Sequence, residues 1–148
     1  MSKLTPYLCC RDAGKALDFY RNAFAAVELY RLPDPSGRVC HAEMEIGGAL
    51  FYLADEFPDY GCVSPIGQNG SAVTLCLEVP NVDETVTHAQ AAGAQVVRPP
   101  ADEFYGHRSA TLLDPFGHRW MVSTEVEKLA PDEIRKRFEA MCSAPEGS

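Results

Sequence analysis

The chain has 148 residues, with 13 Lys and Arg against 21 Asp and Glu, for a formal net charge of −8. Hydrophobic residues make up 46% and charged residues 23%, the usage of one globular domain able to bury its own core. The charge is spread as −3 over residues 1–70, −3 over 71–124 and −2 over 125–148, which leaves no positive field for nucleic acid or an anionic membrane. No apolar run reaches the roughly 20 residues of a membrane span. The opening residues show no signal-peptide pattern, so a cytoplasmic protein is expected.

Residues 4–10 read as a short strand. Asp12 is a candidate N-cap, because Ala16, Leu17, Phe19, Tyr20 and Phe24 follow at helical spacing. A strand over 26–32, the Pro- and Gly-rich turn 33–37, an alternating strand over 38–46, a Gly-Gly turn and an apolar strand over 49–54 complete a first unit. Residues 58–71, rich in Pro, Gly, Ser and Asn, read as a linker.

The same order then recurs. It gives a strand over 72–79, a helix over 82–92 closed by Gly93, a strand over 95–98, a loop over 99–107, and strands over 108–113 and 119–124. An offset of 69 places Thr5 on Thr74 (74 − 5), Leu17 on Val86, Ala23 on Ala92, Ala25 on Ala94 and Val27 on Val96. This pattern predicts an internal duplication, with a first module over about 4–57 and a second over about 72–125 in one domain. Residues 131–142 form a separate amphipathic helix, with Pro131 at its start and an apolar stripe of Ile134, Phe138 and Met141. That stripe is expected to dock on the domain or on a second subunit.

A doubled strand–helix–three-strand unit resembles the vicinal-oxygen-chelate superfamily of glyoxalases, extradiol dioxygenases and bleomycin- and fosfomycin-resistance proteins. Local phrases carry the resemblance further. They are Thr5-Pro-Tyr-Leu8, Ala16-Leu-Asp-Phe-Tyr-Arg-Asn-Ala-Phe24, His41-Ala-Glu-Met44, Leu53-Ala-Asp-Glu56, Phe104-Tyr-Gly106 and Asp114-Pro-Phe-Gly-His-Arg-Trp120. Together they are similar to the PhnB-like branch. The resemblance implies an α+β fold of two βαβββ modules forming a cup-shaped mixed sheet, and commonly a homodimer, sometimes with each cup built from two chains.

The metal enzymes of that superfamily carry one ligand on the first and one on the last strand of each module. Those positions are Thr5, Tyr52, Thr74 and Met121 here. None is a good ligand for a divalent ion, which takes imidazole, carboxylate or thiolate. The usual metal is therefore not expected, and no cofactor is predicted.

Strand alternation assigns Thr5, Tyr7, Cys9, Leu50, Tyr52, Ala54, Thr74, Cys76, Glu78, Arg119, Met121 and Ser123 to the cup, and Leu75, Leu77, Trp120 and Val122 to the helix side. His41, Glu43 and Glu45 share one strand face. They read as a polar face or rim, as a ligand hydrogen-bonding edge, or as a displaced divalent-metal site through His41 and Glu43. His88 is expected to pack and His118 to bond locally. Arg108 is read either as an anion clamp or as a surface ion pair, and Phe104 with Tyr105 as an aromatic lid. A Cys9–His41 nucleophile pair stays open, while the absence of any C-x-x-C pair predicts free, mostly buried thiols.

The candidate ligand-binding set is therefore Tyr7, Cys9, His41, Glu43, Tyr52, Thr74, Cys76, Tyr105, Arg108 and Met121. The function expected is binding of a small organic molecule without the usual metal. The alternative is a divalent-metal-dependent lyase, isomerase or dioxygenase.

Overall fold

A computed structural model describes residues 1–67 and 70–144; Gln68 and Asn69 of the expected linker lie outside the described residues. Asp12 caps the first helix by accepting from the Lys15 amide, at 3.1 Å, so α1 runs Ala13–Phe24. Its buried face is Ala16, Leu17, Phe19, Tyr20, Ala23 and Phe24, the helical stripe that the spacing predicted. The helix lies on a sheet of β1 (Tyr7–Cys10), β2 (Val27–Pro33), β3 (Val39–Ile46) and β4 (Ala49–Asp55). The strand order is β1-β4-β3-β2, with β1 parallel to β4 and the other pairs antiparallel.

The second half repeats this plan. The strands β5 (Thr74–Glu78), β6 (Gln95–Asp102), β7 (His107–Leu113) and β8 (Arg119–Glu125) order as β5-β8-β7-β6, and α2 (Val82–Ala91) is capped by Asn81. Residues 99–102, expected as loop, extend β6 instead. Register shifts between Val96 and Arg98 and between Arg98 and Ala101 let the strand pass Pro99-Pro100 without losing its pairing to β7.

The ladders refine the repeat. The helix caps Asp12 and Asn81 stand 69 apart, and so do Tyr52 and Met121 in β4 and β8. Between them the offset is 68. Val27 pairs with Glu45 while Gln95 pairs with Leu113 (95 − 27 and 113 − 45), so Val27 corresponds to Gln95 and not to Val96. The second helix reaches its left-handed exit one residue sooner, at Gly93 (φ 115°) against Ala25 (φ 56°). The β7–β8 turn restores the residue. The Ile46–Ala49 pair encloses two glycines, whereas Asp114 bonds His118 across three residues.

One core joins the modules. Leu8, Met44 and Phe51 of the first sheet and Leu112, Trp120 and Val122 of the second belong to a single buried cluster, with α1 and α2 in contact. Phe51 and Trp120 have ring centroids 6.1 Å apart, and Tyr20 lies 5.5 Å from each. At the centre the Tyr20 hydroxyl donates to Asp114 Oδ2 at 2.5 Å, and Trp120 Nε1 donates to the same oxygen at 2.9 Å. Asp114 Oδ1 accepts the Phe116 and His118 amides. A buried carboxylate is costly unless every lone pair is used, and here four donors converge on it.

The C-terminal helix α3 (Pro131–Cys142) docks on the β6–β7 loop through Phe138 against Phe104, at 5.6 Å. Arg137 adds an ion pair to Glu127. Gly106 makes that loop possible: its φ of +87° suits glycine, and a Cβ there would run into the carbonyl oxygen of Glu127.

Candidate functional site

Both sheets bury the face that meets the helices and turn the other outward. On the first sheet the outward face carries Tyr7 and Cys9 from β1, Tyr52 and Ala54 from β4, and His41, Glu43 and Glu45 from β3. Tyr7 and Tyr52 are direct ladder partners, as are Glu43 and Tyr52. A shift in the β2–β3 register between Glu28 and Tyr30 brings Tyr30 opposite Glu43.

These side chains form one hydrogen-bonded chain. Tyr7 Oη and His41 Nδ1 are 2.8 Å apart, and His41 Nε2 lies 3.0 Å from Glu43 Oε2, which also accepts the Tyr30 hydroxyl at 2.6 Å. Tyr52 packs on both His41 and Tyr7, with centroids at 5.0 and 5.6 Å. The electrostatics follow the contacts. The Tyr30 hydroxyl and then His41 hold the Glu43 carboxyl below the usual carboxylate range. The same bond to Glu43 pushes the Tyr30 phenol up, and partial burial pushes Tyr7 up. Both phenols therefore stay protonated at neutral pH.

Beside this chain an open cleft of about 540 Å³ is lined by Tyr7, Cys40, Ala54, Phe57, Tyr60, Gly61 and Cys62. Its outer wall belongs to the expected linker. There a 3-10 turn over Pro58–Tyr60 and a two-way backbone pairing of Phe57 with Cys62 fold the chain back over the sheet. Arg38 stacks on Phe57 at 4.2 Å and also bonds the Glu56 carbonyl. Cys9 and Cys62 meet at this wall, with Sγ atoms 2.8 Å apart. Cys9 and His41 share no hydrogen bond: both imidazole nitrogens are engaged elsewhere, and burial pushes the Cys9 thiol up to about 12.

The remaining expected residues lie elsewhere. Thr74, Cys76 and Met121 sit on the outward face of the second sheet, where Cys76 and Met121 are ladder partners. Tyr105 reaches the same sheet, with its hydroxyl 3.2 Å from Ser109 Oγ and its ring 5.2 Å from Phe104. Arg108 points to the helix side. It pairs with Asp83 of α2 through Nε and Nη2 at 2.8 and 2.9 Å and with Asp102 at 3.2 Å, the ion-pair reading of the two. His88 is exposed, contrary to the packing expected of it. The His118 side chain reaches 2.8 Å from the Cys9 carbonyl in the other module, contrary to the local bond expected. Three cysteines, Cys40, Cys76 and Cys142, are exposed where burial was expected.

The donor chemistry of Thr5, Tyr52, Thr74 and Met121, two alcohols, a phenol and a thioether, does not fit a divalent ion. His41 and Glu43 supply two suitable donors. Among the described residues no group of three or more His, Cys, Asp or Glu is placed to hold one. Nor is any helix among them long and apolar enough to cross a membrane.

Residues 4–122 match the Glyoxalase/Bleomycin resistance protein/Dioxygenase superfamily. The chain belongs to that superfamily. An uncharacterised protein of Mycobacterium bovis is 39% identical over 147 residues, covering 97% of this chain and 95% of its own. The solved structure of TioX from Micromonospora is 26% identical with a TM-score of 0.66, covering 84% of this chain and 99% of its own. The fosfomycin resistance protein FosX of Listeria monocytogenes, solved with Mn(II) and sulfate, shares the superfamily fold at a TM-score of 0.67. At 21% identity, covering 93% of this chain and 98% of its own, that likeness concerns the fold alone.

Sequence reasoning missed Tyr30, Phe57, Tyr60, Cys40 and Cys62. Tyr30 and Cys40 are set by strand irregularities, with Leu32 opposite His41 but Pro33 opposite Val39, so simple alternation from neighbouring residues misplaces them. Tyr60 and Cys62 belong to the stretch whose composition reads as linker, and Phe57 stands at the end of the first module just before it.

Proposed function

We propose that this superfamily member binds a small organic molecule against the outward face of its first sheet and needs no resident divalent ion to do so. The observation that carries this reading is the Tyr7–His41–Glu43–Tyr30 chain bordering an aromatic, thiol-lined cleft of about 540 Å³. Such a site offers apolar area for a planar or amphiphilic ligand, with one carboxylate and the cleft-lining Tyr7 phenol to orient a polar group. The metal-free part rests on the poor donors at the four positions where the superfamily's metal enzymes carry ligands. The phrase from Asp114 to Trp120 supports placing the chain in the PhnB-like branch.

A second copy of the chain covers the open faces in this proposal. Val27 (60% exposed), Tyr30 (46%) and Leu32 (53%) stand beside Glu43 and Glu45 on the first sheet. The outward face of the second sheet offers Arg98 and Arg119 as partners for those carboxylates, alongside its own Glu78 and Glu125. Sedimentation is expected to show a homodimer that Tyr30→Glu dissociates.

Binding is tested by titrating dialysed, untagged protein against planar aromatic and amphiphilic compounds, with Glu43→Gln as comparison. Saturable binding weakened in the variant is expected. No binding across such a set overturns the reading. Elemental analysis of the same protein decides the metal: stoichiometric Zn, Mn, Ni or Fe would favour the lyase, isomerase or dioxygenase alternative.

A further inference from the structure

The meeting of Cys9 and Cys62 is not accounted for by packing. They are 53 residues apart, one on β1 and the other on the segment that walls the cleft, yet their sulfurs lie 2.8 Å apart. Both sulfurs are directed at one acceptor, the Asp55 carbonyl, at 3.9 and 3.5 Å. Cys62 is held in place from both sides. Its amide and carbonyl pair with Phe57, and two residues on the Ser64 amide bonds Glu56, which is itself paired with Arg11. A disulfide has a sulfur–sulfur length of about 2.05 Å, so less than an ångström of closure separates the two thiols from a covalent bond.

We propose that Cys9 and Cys62 are a redox-active dithiol, oxidised to an intramolecular disulfide by a hydroperoxide, which locks the cleft wall onto β1. Cys62 lines the cleft, so it is the sulfur a small oxidant reaches first. Its thiolate attacks one peroxide oxygen; the S–O bond forms, the O–O bond breaks, and the departing hydroxide takes up a proton as water. Cys9 then attacks the sulfenic sulfur, the S–S bond forms, the S–O bond breaks, and the second hydroxide leaves as water with the Cys9 proton. Two thiols are oxidised by two electrons and one hydrogen peroxide is reduced to two waters. The order of attack agrees with the burial that keeps Cys9 protonated near neutrality. Regeneration requires only an external thiol acting by exchange.

The remaining cysteines serve as internal references. Cys40 lines the same cleft and is exposed, Cys76 and Cys142 are exposed, and Cys10 is buried in the core. The proposal is independent of which ligand the cleft takes, because its readout is the linkage and not binding.

The test treats reduced full-length protein with a slight excess of hydrogen peroxide, alkylates the free thiols, and maps disulfide-linked peptides by mass spectrometry without reduction. The expected result is one dominant linkage, Cys9 to Cys62, formed at stoichiometric oxidant and reversed by dithiothreitol. In Cys9→Ser the sulfenic acid on Cys62 is expected to persist and to be trapped by dimedone, while Cys62→Ser is expected to form no intramolecular disulfide. The wild-type map stands even if either variant fails to fold. A dominant Cys40–Cys62 or intermolecular linkage overturns the proposal. So does a Cys9–Cys62 bond that forms only after denaturation.

Discussion

Tyr20→Phe tests whether the two modules are held together by a buried polar centre. The substitution removes one hydroxyl and leaves the ring stack with Phe24 and the contacts with Phe51 and Trp120 in place. Tyr20 is fully buried and Asp114 is 4% exposed, so no water replaces the lost donor. Asp114 Oδ2 then keeps only Trp120 Nε1, while Oδ1 keeps both amides. A hydrogen bond to a buried charged acceptor contributes about 1.5–3 kcal/mol. The unfolding entropy of a chain this size is roughly 0.3 kcal/mol/K, so Tm is expected to fall by about 5–10 °C. Urea unfolding and calorimetry at one fixed protein concentration measure this, the fixed concentration being needed if a dimer contributes. A loss below about 0.5 kcal/mol with an unchanged m-value would refute the argument that the carboxylate depends on all four donors.

Ala25→Gly is expected to stabilise the protein by roughly 0.5–1 kcal/mol in urea, because Ala25 sits at φ 56° in the left-handed exit of α1, where the second module uses Gly93. Gly106→Ala is expected to cost at least about 2 kcal/mol, since the added Cβ meets the Glu127 carbonyl in a left-handed conformation; an unchanged Tm would show that the β6–β7 loop relaxes freely. The Glu43 contact carries a pH signature. Its carboxyl is depressed in the folded state, so the contribution is complete above the ordinary carboxyl range and is lost as pH falls through the lowered value. Carboxyl-carbon NMR should show Glu43 titrating lower in wild type than in Tyr30→Phe, and equal midpoints would contradict the hydrogen-bond assignment.

Several features were legible without tertiary information, for local reasons. Asp12 announced the start of α1 because an N-cap is a contact within one turn. The outward set of Tyr7, Cys9 and Tyr52 and the inward set of Leu75, Trp120 and Val122 follow from strand alternation, a property of backbone stereochemistry. The repeat was visible in the spacing of such elements, and the poor ligands at Tyr52 and Met121 in residue identity alone.

Other features required the chain to fold. Alternation fails wherever a bulge shifts parity, and the register that creates a bulge is set by the partner strand; Tyr30 reached Glu43 in this way, while the repeat offset moved from 69 to 68 at the earlier helix exit of the second module. Arg108 had equal claims as anion clamp and ion pair until α2 brought Asp83 to its guanidinium. His118 and Cys9, and Cys62 and Cys9, lie 109 and 53 residues apart, and nothing in their local surroundings encodes those meetings. Most elements, their faces and the resemblance to the superfamily are readable in order along the chain, because capping, alternation and motif spacing act between near neighbours. Which residues share a site depends instead on how two sheets close on one core.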